Sequence, residues 1–172
     1  MSIHSGVVME TLWAPWRIKY ILNKKPRSCI FCYKKTKNYK RKNLILYEST
    51  HGLVLMNKYP YAPGHLMVIP KRHLKDLSEL SRDEIVDLFD LIKLAMNALR
   101  KALKPHGFNL GANLGKIAGA GAEGHLHFHI VARWKGDANF MPIIGKTNVI
   151  SEHLEKTYER LLPHFPTHTA GG

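Results

Sequence analysis

The clearest periodicity in the chain lies between Ser81 and Lys104. Ile85, Leu88, Ile92, Ala95, Leu99 and Ala102 recur at three- and four-residue steps, which lines one face of a helix. Ser81 and Glu84 make a Ser-x-x-Glu capping box at its start, and Pro105 and Gly107 stop it. Ahead of this helix the apolar positions come in short β-rich runs. Leu44–Glu48 and Leu53–Asn57, separated by Ser-Thr-His-Gly, predict a hairpin, and His65–Pro70 predicts a buried strand after the turn Pro60–Gly64. Behind the helix, Phe108–Leu114 reads as a weak strand, Gly115–Gly124 as a Gly-rich loop and Glu152–Leu162 as a closing helix. Near the start, Trp13–Leu22 predicts a short helix after Pro15, and Cys29–Cys32 a turn. Strands grouped around one long helix predict an α+β fold with a mostly antiparallel sheet.

The last strand is the most informative. Residues 125–130 read His-Leu-His-Phe-His-Ile. Alternate side chains of a strand point to opposite faces, so His125, His127 and His129 share one face while Leu126, Phe128 and Ile130 turn to the core. Imidazole titrates near neutrality and serves as base, nucleophile or metal ligand. A solvated tract has no reason to alternate with Leu, Phe and Ile, so the row is read as functional, in a strand running to about Ala132.

Composition narrows the class. The 172 residues are 45% hydrophobic, enough for one globular core. No apolar run is long enough to cross a bilayer, and the N-terminus lacks the basic-then-apolar layout of a secretory signal. Two cysteines in a Cys-x-x-Cys spacing are no disulfide framework, and a reducing cytoplasm fits best. The net charge of +13 favours polyanionic partners without choosing among them. Its densest stretch, Lys34–Lys42, reads as a solvated loop ahead of a nucleic-acid patch. Ser2–Val8 and Thr167–Gly172 read as loose ends.

Two further motifs need weighing. Gly119-Ala-Gly-Ala-Glu-Gly124 matches G-x-G-x-x-G, but it precedes a strand and opens no helix, so the dinucleotide-fold reading fails. Its small residues still permit a phosphate-binding nest of backbone N–H groups, or a simple turn. Cys29-Ile-Phe-Cys32 has the spacing of half a tetrahedral zinc site, the alternatives being a redox pair or two buried thiols. His65 and His73 are the other histidines with local context.

Taken together, HLHFHI and the stretch Asn57–His73 (NKYPYAPGHLMVIPKRH) resemble the histidine triad superfamily of nucleotide hydrolases and transferases. The resemblance covers about residues 10–165 and implies one domain over 1–172 with a histidine-triad fold. LWAPWR, PHGFNLGANLGKIAGAG and ARWKGDANFMPIIG are similar to the bacterial branch related to diadenosine tetraphosphate phosphorylases. The resemblance implies that His127 is the nucleophile, that His129 and His65 flank the phosphate, and that Asn113 orients it. It places Asn57 at the ribose and Leu55 at the base, with Gly119 and Gly121 beside the nucleotide. It implies a structural zinc ion on Cys29, Cys32, His73 and His125, and a homodimer. The small hydrolase branch usually carries Gln four residues before the first triad histidine, where this chain has Gly121. The implied activity is cleavage of a dinucleoside polyphosphate with phosphate as acceptor. Hydrolysis of dinucleotides or adenosine phosphoramidates is the alternative, and a basic zinc-stapled nucleic-acid module a distant one.

Overall fold

The computed structural model describes residues 29–60, 62–122, 124–137 and 153–167, and the helix expected over Trp13–Leu22 lies outside them. The short apolar runs pair into one five-stranded antiparallel sheet: β1 (Ile45–Glu48), β2 (Gly52–Met56), β3 (Leu66–Pro70), β4 (Gly107–Gly111) and β5 (Phe128–Arg133), in the order β1-β2-β3-β5-β4. The helices are α1 (Tyr39–Lys42), α2 (Arg82–Leu103) and α3 (Leu154–Leu161), the last continued by a single 3₁₀ turn, Leu162–His164. The α+β class expected from the sequence is the one observed.

The sheet is covered unequally. On one face Val54, Met56, Leu66, Val68 and Ile130 pack against Leu88, Leu91, Ile92, Ala95 and Leu99 of α2, with Tyr158 and Leu161 of α3. On the other face Ile45, Leu53, Leu55, Met67 and Ile69 form a smaller cluster under Phe31. Burial on both faces explains why every position of β2 and β3 is buried. Close approach of α2 depends on Gly52: a Cβ there would meet Leu91 Cδ1 at 2.6 Å and Leu88 Cδ2 at 2.9 Å.

Helix α2 begins with the predicted capping box, Ser81 and Glu84 each bonding the other's backbone N–H. Glu84 also takes a bidentate pair from Arg72 at 2.9 and 2.8 Å, so its carboxyl stays ionised, held down at about 2 by Arg72 and the Ser81 N–H. The predicted stripe is buried at Leu88, Ile92, Ala95, Leu99 and Ala102, but in the first turn Glu84 takes the inward position and Ile85, expected in the core, is 42% exposed.

Strand β5 starts at Phe128, three residues later than the alternating pattern predicts. The Leu126 N–H leaves the ladder and donates to Leu74 O at 2.7 Å. Strand β4 ends at Gly111 rather than Leu114. Among the described residues, no helix is long and apolar enough to cross a membrane.

Because Ser81 satisfies an otherwise orphan N–H of α2, Ser81→Ala is expected to cost about 1 kcal/mol of stability. The check is a lowered urea midpoint at constant m.

Candidate active site and metal centre

The alternation survives even where the ladder does not. Leu126 and Ile130 are buried in the core and Phe128 is partly so, while His125, His127 and His129 line the opposite face. His129 stands in β5, opposite Met67 of β3 and Gly111 of β4. The neighbouring His127 ring lies 4.9 Å away, centroid to centroid.

His127 is buried, and its Nδ1 lies 2.8 Å from the His125 carbonyl oxygen. A carbonyl only accepts, so Nδ1 carries the proton and Nε2 presents a lone pair. Burial pushes the His127 pKa below the usual histidine value, partly opposed by that hydrogen bond, and the ring is neutral at pH 7. Phe31 packs at 5.3 Å from the His127 ring and edge-on at 5.6 Å from His125. A neutral imidazole fixed in one tautomer and held by an aromatic wall has the geometry of a nucleophile.

His65 enters from just before β3 and is 1% exposed. Its Nε2 lies 2.9 Å from Nδ1 of His129, and the Asn57 amide nitrogen lies 3.5 Å from its Nδ1. Asn57 Oδ1 accepts from Tyr59 N–H at 2.9 Å, which fixes the amide orientation. The amide therefore donates to His65 Nδ1, His65 Nε2–H donates to His129 Nδ1, and His129 is left with a protonated Nε2. The chain ends in an N–H donor on the same face as the His127 lone pair.

The remaining candidates surround this row less tightly. Leu55 is buried in β2 within the cluster under Phe31. Asn113 is half-buried after β4, and its amide donates to Gly119 O at 3.4 Å. Gly119 has a φ of +87° and Gly121 is exposed, both in turns rather than at a helix start. Asn113 and the Gly-rich loop thus lie together, whereas Asn57 belongs to the His65 end of the site.

Cys29, Cys32, His73 and His125 converge, their ligand atoms all within 4.8 Å of one another. His125 Nε2 donates to Pro70 O at 2.9 Å, which leaves the Nδ1 lone pair facing the thiols. Cys29 Sγ lies 3.3 Å and Cys32 Sγ 3.7 Å from that Nδ1, and His73 Nδ1 lies 3.3 Å from Cys32 Sγ. Zinc–sulfur bonds near 2.3 Å and zinc–nitrogen bonds near 2.1 Å imply tetrahedral edges of about 3.3–3.8 Å, so the donor set fits zinc. Burial, then the neighbouring Cys29, pushes the Cys32 thiol up, a cost that a cation removes. Four protein ligands leave no open position, and the site suits a structural ion.

Sequence reading missed Phe31, the wall against His127. Its signal was present, an aromatic residue between two candidate ligands, but only the fold brings that loop to the histidine strand.

The HIT domain matches residues 38–136. The AP-4-A phosphorylase of Mycobacterium tuberculosis strain H37Rv is 36% identical over 162 residues, 90% of this chain and 83% of that protein. A hypothetical histidine triad nucleotide-binding protein from Sulfolobus tokodaii superposes with a TM-score of 0.62 at 29% identity, covering 79% of this chain and 91% of that one. A zinc-bound histidine triad family protein from Mycobacterium smegmatis gives 0.63 at 25% identity, covering 80% and 92%. With the sheet order, the histidine row and these matches in agreement, the chain belongs to the HIT domain family.

Proposed function

We propose that this protein is a nucleotidyltransferase that cleaves dinucleoside polyphosphates, diadenosine tetraphosphate foremost, by phosphorolysis through a covalent nucleotidyl-His127. The observation that carries this reading is the His127 tautomer, with Nδ1–H on the His125 carbonyl and the Nε2 lone pair free to attack. The phosphorylase likeness over most of the chain supports the substrate class.

In the first step Nε2 attacks the α-phosphorus. A P–N bond forms, the P–O bond to the polyphosphate breaks, and ATP leaves. In the second, an oxygen of inorganic phosphate attacks the same phosphorus, the P–N bond breaks, and ADP leaves. His129 Nε2–H, backed by His65, stabilises the phosphoryl oxygens as charge builds on them. Asn113 orients the α-phosphate beside Gly119 and Gly121, Asn57 holds the ribose, and Leu55 lies at the base. Gly121, where the small hydrolase branch usually carries glutamine, weakens a simple hydrolase assignment. Zinc on Cys29, Cys32, His73 and His125 ties the Cys-x-x-Cys loop to the catalytic strand. By analogy with the family, the protein is a single-domain homodimer of the cytoplasm.

The test is incubation with diadenosine tetraphosphate, with and without phosphate, followed by nucleotide separation. ADP formed only with phosphate is the expected result. AMP formed regardless of phosphate assigns hydrolysis instead, and no turnover overturns the reading. His127→Ala is expected to lower kcat by about 10³-fold or more.

Protonation removes the His127 lone pair, and burial lowers that pKa. The kcat/KM profile should therefore hold its plateau from pH 7 down to about the free histidine value of 6.5 and decline only below it. An acid limb centred above the free value contradicts the nucleophile assignment.

Metal analysis should find one zinc per chain. Its removal by chelator should lower Tm by roughly 5–10 °C, the size expected for losing a ligand held about a hundredfold above its Kd. Pure protein with no zinc and two free thiols rejects the site.

A further inference from the structure

Asn57 and His65 stand at facing ends of the β2–β3 pair, one residue after Met56 and one before Leu66. The Asn57 N–H donates to the His65 carbonyl at 2.9 Å, so the main chain holds the two residues side by side. The Asn57 amide then has one orientation. Its Oδ1 accepts the Tyr59 N–H at 2.9 Å, and its Nδ2 is turned to His65 Nδ1 at 3.5 Å. Flipping the amide would set one N–H against another at Tyr59.

That amide limits what the two rings beyond it can do. A proton added to the His65–His129 pair has two places to go. On His65 Nδ1 it meets the Asn57 N–H, donor against donor. On His129 Nδ1 it needs a lone pair on His65 Nε2, 2.9 Å away, which forces the His65 proton onto Nδ1 and into the same clash. His65 is 1% exposed, so bulk water does not relieve it. Nor can the neutral pair give up the proton it holds, because loss of Nε2–H from His129 leaves an imidazolate. The neighbouring ring, His127 at 4.9 Å, keeps its own proton on the His125 carbonyl.

We propose that Asn57 is a positioning residue that keeps the His65–His129 pair neutral, so that the pair donates hydrogen bonds to the reacting phosphate and gives no proton to the leaving group. This rests on the nucleotidyl-transfer reading for the phosphate at His127. It leaves Asn57 able to meet the ribose as well, since Oδ1 retains a lone pair and Nδ2 an N–H. When the P–O bond breaks, its electron pair stays on the departing oxygen. A polyphosphate carries that charge at neutral pH, its last ionisation lying at about 6. An amine or an alkyl alcohol departs only with a proton. The substrates are therefore adenylyl donors with weakly basic, anionic leaving groups, phosphoanhydrides above all, and phosphoramidates are poor ones.

Ring-nitrogen NMR of histidine-labelled protein reads the proton positions without turnover. At pH 7 His65 and His129 should each carry a proton on Nε2 alone. Asn57→Asp replaces the donor by an acceptor and should put a proton on His65 Nδ1. The 4-nitrophenyl and phenyl esters of AMP share the adenylyl group, so ribose contacts cancel in the ratio of their kcat/KM values. The wild type should favour the nitrophenyl ester strongly, and N57D should narrow that preference about tenfold, as a restored proton donor would. A wild-type proton on His65 Nδ1, or an N57D preference equal to that of the wild type, overturns the proposal even where diadenosine tetraphosphate is cleaved. The wild-type spectrum decides the point should N57D fail to fold. If no adenylyl compound turns over while the proton positions are as stated, nucleotidyl transfer fails and the hold of Asn57 on the histidine pair stands.

Discussion

The site depends on how one residue, His125, is fixed. Its Nε2–H is committed to Pro70 O, its Nδ1 faces Cys29 and Cys32, and its own carbonyl receives the Nδ1–H of His127. The backbone N–H is bound as well, to Ala122 O. With every polar atom assigned, neither ring can flip or change tautomer without leaving a buried group unpaired, which costs about 1–3 kcal/mol. The candidate metal centre and the proposed nucleophile thus meet at one residue: its side chain faces the cysteines and its carbonyl holds His127.

Much of this was legible in the sequence because it is local. The capping box at Ser81 and Glu84, the hairpin across residues 49–52 and the alternation at 125–130 each follow from neighbours a few positions apart. What escaped depends on distant partners. The late start of β5 reflects Leu74 O capturing the Leu126 N–H. Ile85 faces outward because Arg72, from another segment, draws Glu84 inward. Lys35 and Lys40 of the basic run reach Glu48 because the sheet brings that residue, at the end of β1, beside Lys71, just after β3. Phe31 gained its place only when its loop reached the histidines. The histidine and cysteine candidates had the reverse advantage, since their chemistry is rare enough for spacing alone to draw attention to them.

The unequal covering of the sheet separates two kinds of work. The face under α2 carries the larger apolar cluster, built against a helix capped at its start. The other face has a smaller cluster roofed by Phe31 and leaves room for the histidine row. The candidate site residues therefore rest on strands whose backs are firmly packed.

The position of Phe31 has a thermodynamic consequence. It rides on the loop between two metal-ligand candidates and touches both His125 and His127. Any ion that stiffens this loop shares a mechanical element with any nucleotide that leans on the ring. Linkage is reciprocal: whatever affinity the filled metal centre lends to the nucleotide, the nucleotide returns in equal measure to the metal. If the proposed ion and nucleotide both bind, the grip on the ion is set by the liganded state of the protein as well as by its four candidate ligands.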